Sequence, residues 1–80
     1  MNYLLLTIIF QEEDDGRWTA ECKELDTASF GNTIEGSRQN IEEAICLHLN
    51  TLKDVGELDR FLKENNIKIS KTKPKIKILL

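Results

Sequence analysis

Asp15-Gly16-Arg17-Trp18-Thr19-Ala20-Glu21-Cys22 is the stretch on which the fold turns. Asp-Gly is a strong short hairpin signal, because both residues tolerate positive φ. The six residues after it alternate, with Trp18, Ala20 and Cys22 on one side and Arg17, Thr19 and Glu21 on the other. That is a strand with one face toward a core, entered from a tight turn. Upstream, Tyr3 to Phe10 is rich in Leu, Ile and Phe, with a β-branched cluster at Thr7-Ile8-Ile9. It reads as one strand, ended by Glu12-Glu13-Asp14-Asp15-Gly16. Downstream, Lys23-Glu24-Leu25-Asp26 is a polar turn holding one apolar residue, and Thr27-Ala28-Ser29-Phe30-Gly31 is a short strand with a glycine exit. The first thirty residues therefore predict a three-stranded antiparallel meander.

Periodicity then changes from two to that of a helix. Ile34, Ile41, Ala44, Ile45, His48 and Leu52 form one stripe, predicting a helix from about Ile34 to Lys53 that covers the sheet. Asn32 or Thr33 can cap it, and Asn32 with Glu35 fits a capping box. Gly56 interrupts the pattern. Leu58, Phe61 and Leu62 mark a short second helix, ended by Asn65-Asn66, and Ile67-Lys68-Ile69-Ser70 alternates as a fourth strand. Lys71-Thr72-Lys73-Pro74 breaks it. Lys75 to Leu80 alternates again, as a basic edge strand or as an arm that orders on a partner; Pro74 and the lysines suit an edge. The fold class is thus α+β, β-β-β-α-(α)-β, with one domain over residues 1–70 and a basic C-terminal strand or arm over 71–80. Trp18 is the expected anchor beneath the long helix, and emptying its site should cost about 3–5 kcal/mol.

Eighty residues hold one domain, and a chain this short buries only roughly 60% of its unfolded surface. A thin core and two edge-like segments, Thr27–Phe30 and Lys75–Leu80, predict a homodimer or higher homo-oligomer. The apolar fraction of 40% and charged fraction of 31% suit a globular protein. No apolar run approaches the roughly 20 residues of a membrane span. The apolar start lacks a basic lead-in and a small-residue cleavage site, so a cytoplasmic protein is expected, with Cys22 and Cys46 as free buried thiols.

The net charge of −3 conceals a division. Residues 1–66 hold six Lys/Arg and all fourteen Asp/Glu, whereas residues 67–80 hold five Lys and no acid. The body should repel nucleic acid and attract basic proteins; the tail should do the reverse. The candidate partner-binding residues are accordingly Glu12, Glu13, Asp14 and Asp15 on the hairpin and Lys73, Lys75 and Lys77 on one face of the tail. The acidic run also reads as a solvated turn, and the tail lysines as protection of an edge strand. No aromatic residue interleaves the tail lysines for base stacking. His48, the one histidine, lies on the helix stripe and reads as a core-edge residue rather than a catalytic base. Cys46 and His48 stand two apart and diverge on a helix, so they do not pair as metal ligands. No catalytic residue, metal site or cofactor is expected, and the chain reads as a binding module rather than an enzyme.

Two stretches resemble the HicB antitoxin family of toxin–antitoxin modules: Glu12 to Cys22 (EEDDGRWTAEC) and Phe30 to Ile45 (FGNTIEGSRQNIEEAI). The family shows an acidic turn, a glycine, an aromatic and an alanine, then a Gly-Asp/Asn-Thr helix entry with Asn and Glu-Ala-Ile further along. Gly16, Trp18, Ala20, Gly31, Thr33, Asn40, Glu43, Ala44 and Ile45 stand at those places. Gly56 to Ile69 (GELDRFLKENNIKI) resembles the short helix and last strand of compact members. Many members add a C-terminal DNA-binding domain, which the eleven residues after Ile69 are too few to form. The resemblance implies a core similar to a partial ribonuclease H fold without its carboxylate site. It implies a small basic HicA-type toxin, an mRNA-cleaving protein, as the partner to be bound and neutralised. The alternative is a nucleic-acid-associated regulatory protein that uses the basic tail, nucleic acid being contacted through the tail alone.

Overall fold

The computed structural model describes residues 3–72 and is α+β. Its elements are β1 (Tyr3–Leu5), β2 (Ile8–Glu12), β3 (Trp18–Cys22), β4 (Thr27–Gly31), α1 (Ile34–Asp54), α2 (Leu58–Glu64) and β5 (Lys68–Ser70). β2, β3 and β4 form an antiparallel sheet in that order, and β1 pairs antiparallel with β5 in a separate two-stranded ribbon. Residues 73–80, and with them the expected C-terminal strand or arm, lie outside the described residues.

The single strand expected over Tyr3–Phe10 is two strands in two sheets. The ladder with β3 starts at Ile8 opposite Cys22, and beyond Cys22 the partner chain turns away into Lys23–Asp26. Lys23 N–H still donates to the Thr7 carbonyl at 3.1 Å, but among the described residues no strand meets Leu6. The Glu24 carboxylate fills the gap, accepting the Thr7 N–H at 2.8 Å and the Thr7 hydroxyl at 2.9 Å. Tyr3, Leu4 and Leu5 find partners instead in Ser70, Ile69 and Lys68.

The β2–β3 hairpin also differs in detail from the expected Asp-Gly turn. Gly16 N–H donates to the Glu13 carbonyl at 2.9 Å and Glu13 N–H to the Arg17 carbonyl at 2.7 Å, enclosing a three-residue loop. Gly16 alone has positive φ, +87°, as the last loop residue of this hairpin class requires. Asp15 has no need of that region.

α1 covers one face of the sheet, with Phe10, Ala20, Cys22, Ile41 and Ile45 between the layers. Its cap is Thr33, whose hydroxyl accepts the Gly36 N–H at 3.0 Å; the expected Asn32–Glu35 capping box does not form. The buried line of the helix is Ser37, Ile41 and Ile45, a strict spacing of four, with Leu49 packing below them. Ser37 is buried because β4 presses on the first turn: a Cβ on Gly31 would stand 2.6 Å from the Ser37 nitrogen. Its hydroxyl is satisfied by the Ile34 carbonyl at 2.7 Å. Trp18 packs against this core from its rim, half-buried, rather than at its centre.

Leu25, assigned to a polar turn, is only 4% exposed and closes one end of the core. α2 closes another. Its C-terminus is a Schellman turn, with Ile67 N–H on the Leu62 carbonyl at 3.0 Å and Asn66 N–H on the Lys63 carbonyl at 3.2 Å. That turn brings the two buried apolar residues Leu62 and Ile67 together and aims the chain into β5. Cys22 is buried, whereas Cys46, expected to be buried, is exposed on α1. Among the described residues no helix is long and apolar enough to cross a membrane.

Candidate functional site

The face of the sheet away from α1 is set by register. Phe10, Ala20 and Cys22 point into the core, so Gln11, Glu13, Thr19, Glu21, Ala28 and Phe30 share the outer face. Phe30 stands opposite Thr19 at the hairpin end of this face and is 61% exposed. An aromatic ring there is unexpected on a strand whose inward neighbours are Thr27 and Ser29. The period-two rule applied to Thr27–Gly31 would have separated Phe30 from Ser29, but a short apolar-poor strand does not announce which side is the core.

The hairpin loop lies beside this ring. Glu13 accepts the Thr19 hydroxyl at 2.8 Å, and Asp15 accepts the Arg17 N–H at 3.1 Å and the Arg17 Nε–H at 2.8 Å. The backbone hydrogen bond from Arg17, reinforced by its guanidinium, holds the Asp15 carboxyl below the usual carboxylate range. The Arg17 guanidinium carbon is 5.3 Å from the centroid of the Phe30 ring, a cation–π contact. Glu13, Asp14, Asp15, Arg17, Thr19 and Phe30 line an open groove of about 410 Å³. On its far side Arg17 and Phe30 also border a second groove of about 480 Å³, with Asn32, Gln39 and Asn40 among its walls. Asn40 fixes the ridge between them, donating from Nδ2 to the Phe30 carbonyl at 2.7 Å.

Of the four acids singled out in the sequence, Glu13, Asp14 and Asp15 come together on this groove. Glu12 does not: it is paired in register with Trp18, so its side chain leaves the opposite face of the sheet. Lys73, Lys75 and Lys77 lie outside the described residues. Phe30, Arg17, Thr19 and Asn40 are the members that sequence reading missed. His48 sits half-buried on α1 with its ring 5.5 Å from that of Phe61, away from the groove's lining. Among the described residues no three His, Cys, Asp or Glu side chains are grouped as a metal ion would need. What the groove supplies chemically is ionised acceptors, hydroxyl and amide donors, and an exposed π-face. A scan against protein-family models and searches of curated proteins and of solved structures return no match for this chain.

Proposed function

We propose that the chain is an antitoxin-like protein-binding module that binds and neutralises a small basic mRNA-cleaving toxin of the HicA type. The observation that carries this reading is the acidic rim of Glu13, Asp14 and Asp15 beside the sheet face that α1 does not cover. Such a rim attracts a basic RNA-binding surface by complementary charge and competes with the toxin's own substrate for it. The resemblance of residues 12–22 and 30–45 to the HicB family supports the same conclusion. The finer description of the core as partial ribonuclease H-like, the absence of catalysis, the cytoplasmic location and self-association into a homodimer belong to this proposal.

The test begins with co-purification from the native host, followed by titration of the recovered basic partner in an mRNA-cleavage assay. Stoichiometric protection of mRNA by this chain is the expected result. Truncation after Ser70 should leave part of the binding in place. Neutralising Glu12, Glu13, Asp14 and Asp15 should slow association and weaken its dependence on salt. Tight, tail-dependent binding to a random duplex, with no protection of mRNA, would replace the proposal with the nucleic-acid reading. In that case the five lysines of residues 67–80 would give a salt slope no steeper than about −4 to −5.

A further inference from the structure

We propose that Phe30 and the groove beside it form a docking surface for an arginine side chain on a basic polypeptide segment. This rests on the protein-binding reading above and assigns it a place and a recognition chemistry.

Three observations converge. Phe30 offers a ring that is 61% exposed, on the sheet face that α1 does not cover. The ring already receives a guanidinium, that of Arg17, at 5.3 Å from its centroid. Two of the three carboxylates lining the same groove keep free acceptor oxygens among the described residues: Glu13 employs one oxygen on the Thr19 hydroxyl and Asp14 accepts no side-chain hydrogen bond, whereas Asp15 gives both oxygens to Arg17.

The ligand follows from this donor set. A guanidinium is planar, stacks on an aromatic face and meets carboxylates through paired N–H groups. An ammonium, compact and strongly hydrated, uses the carboxylates but gains less from the ring. Phosphate groups meet a net negative rim, three carboxylates against the one guanidinium of Arg17, so a nucleic acid strand is disfavoured although Phe30 could stack a base. The incoming arginine takes the open part of the ring and pairs with Asp14 and the remaining Glu13 oxygen. The amide side chains of Asn32 and Gln39 in the second groove then lie where the polypeptide carrying it can extend past the ridge.

The probe is a blocked Arg-Gly-Arg-Gly-Arg peptide, compared with its lysine counterpart and with oligo-uridine, each titrated into the ¹⁵N-labelled full chain. The arginine peptide should shift amide resonances of Asp14 to Thr19 and of Phe30, and should bind about two- to fivefold more tightly than the lysine peptide, the exposed-site cation–π increment. Phe30→Leu keeps an apolar side chain at an exposed position, so the fold is retained, and it should erase that preference. Glu42→Gln, on the outside of α1, should leave the preference intact. Equal binding of the two peptides with shifts spread over the acidic surface overturns the proposal. So does an arginine preference that survives Phe30→Leu. Oligo-uridine shifting Phe30 in place of the peptides overturns it in favour of RNA. Toxin titration separates the two levels. If wild type and Phe30→Leu protect mRNA equally, the surface is misplaced and the antitoxin reading stands. If the peptide preference holds and no toxin is neutralised, the surface stands and that reading falls.

Discussion

Replacing Gly31 with alanine tests the contact on which the whole α/β packing depends. A Cβ built at Gly31 stands 2.6 Å from the Ser37 nitrogen, 2.7 Å from the Gly36 carbonyl carbon and 3.2 Å from the Gly36 Cα. All three are backbone atoms in the first turn of α1, so no rotamer change relieves them. Either β4 or the helix N-terminus must move, and both are tied: Thr33 caps the helix, and Asn40 bonds the carbonyl of Phe30 at 2.7 Å. Overpacking of this kind costs about 1–3 kcal/mol, and rigid backbone on both sides places Gly31→Ala near 3 kcal/mol. For a domain of this size each kcal/mol lowers Tm by about 4–8 °C, so the expected fall is about 12–24 °C. Gly36→Ala is the paired control. Its Cβ meets only the Thr33 Oγ1 at 3.3 Å and the Gly31 Cα at 3.9 Å. It gains about 1 kcal/mol of helix propensity and disturbs a cap of similar worth, leaving a net change within about 1 kcal/mol of zero. The measurement is thermal and urea unfolding of both variants by circular dichroism. A Gly31→Ala change below about 1 kcal/mol, or one no larger than that of Gly36→Ala, would refute the seating of α1 against β4.

Glu24 makes the stability depend on pH. Burial pushes its carboxyl up, but the hydrogen bonds from the Thr7 N–H and hydroxyl outweigh that and leave it below its ordinary 4.5. The unfolded chain therefore takes up the proton first, so this stabilisation is present above about pH 4.5 and is lost as pH falls through the depressed folded value. Glu24→Gln should lower the urea midpoint at pH 7, and the gap to wild type should narrow as pH falls below 4.5; a gap that is constant with pH would refute the assignment. Asp15 and Glu35 share the direction of shift, which is why the comparison must be with the variant rather than with wild type alone. Trp18→Ala removes a half-buried ring at the core's rim, so about 2 kcal/mol is expected in chemical denaturation, below the range for a fully buried aromatic. A loss of 4 kcal/mol or more would place Trp18 at the centre of the packing instead.

The elements legible in the sequence were those with an unbroken local period. Alternation over Trp18–Cys22 and the helical stripe that includes Ile41 and Ile45 each imply one buried face; the structure buries Ala20 and Cys22 on the first and Ile41 and Ile45 on the second, leaving Ile34, Ala44, His48 and Leu52 half-buried. What escaped depends on contacts between distant segments. Nothing in Leu4-Leu5-Leu6-Thr7-Ile8 marks the point where β1 leaves one sheet for another, because the break is imposed by the turn at Lys23–Asp26 and held by Glu24 from across the chain. Leu25 in a polar tetrapeptide and Ser37 on a helix both contradict their hydropathy context. Leu25 is buried because its turn folds back over the core's end, Ser37 because Gly31 at the end of β4 lies against it. Phe30 is the inverse case. Its side of the strand is decided by pairing with Thr19, so an apolar residue faces out and gives the groove the part that hydropathy alone assigns to the core.

Six of the nine residues on which the resemblance to the HicB family rests have a structural role in this fold. Gly16 has the positive φ of the hairpin, Ala20 is wholly buried between sheet and helix, Gly31 admits no Cβ, Thr33 caps α1, Asn40 ties α1 to β4, and Ile45 fills the core. A likeness built from such positions speaks first for the architecture. Function has to be sought in side chains that the fold leaves unconstrained. Arg17, Arg38 and Arg60 are each engaged by neighbouring acids, Arg38 by Glu35 and Glu42, and Arg60 by Glu57 and Glu64. Those exposed pairs cancel charge locally and are worth little to stability. The hairpin loop is different: Glu13, Asp14 and Asp15 face a single arginine, so negative charge is left over, and it is left over next to an aromatic ring that the core does not use. Under the proposal made above, that surplus charge and exposed ring are what a planar cation on the partner would engage. That is why the partner's chemistry can be argued from Phe30 and its acidic rim more firmly than from the residues that define the likeness.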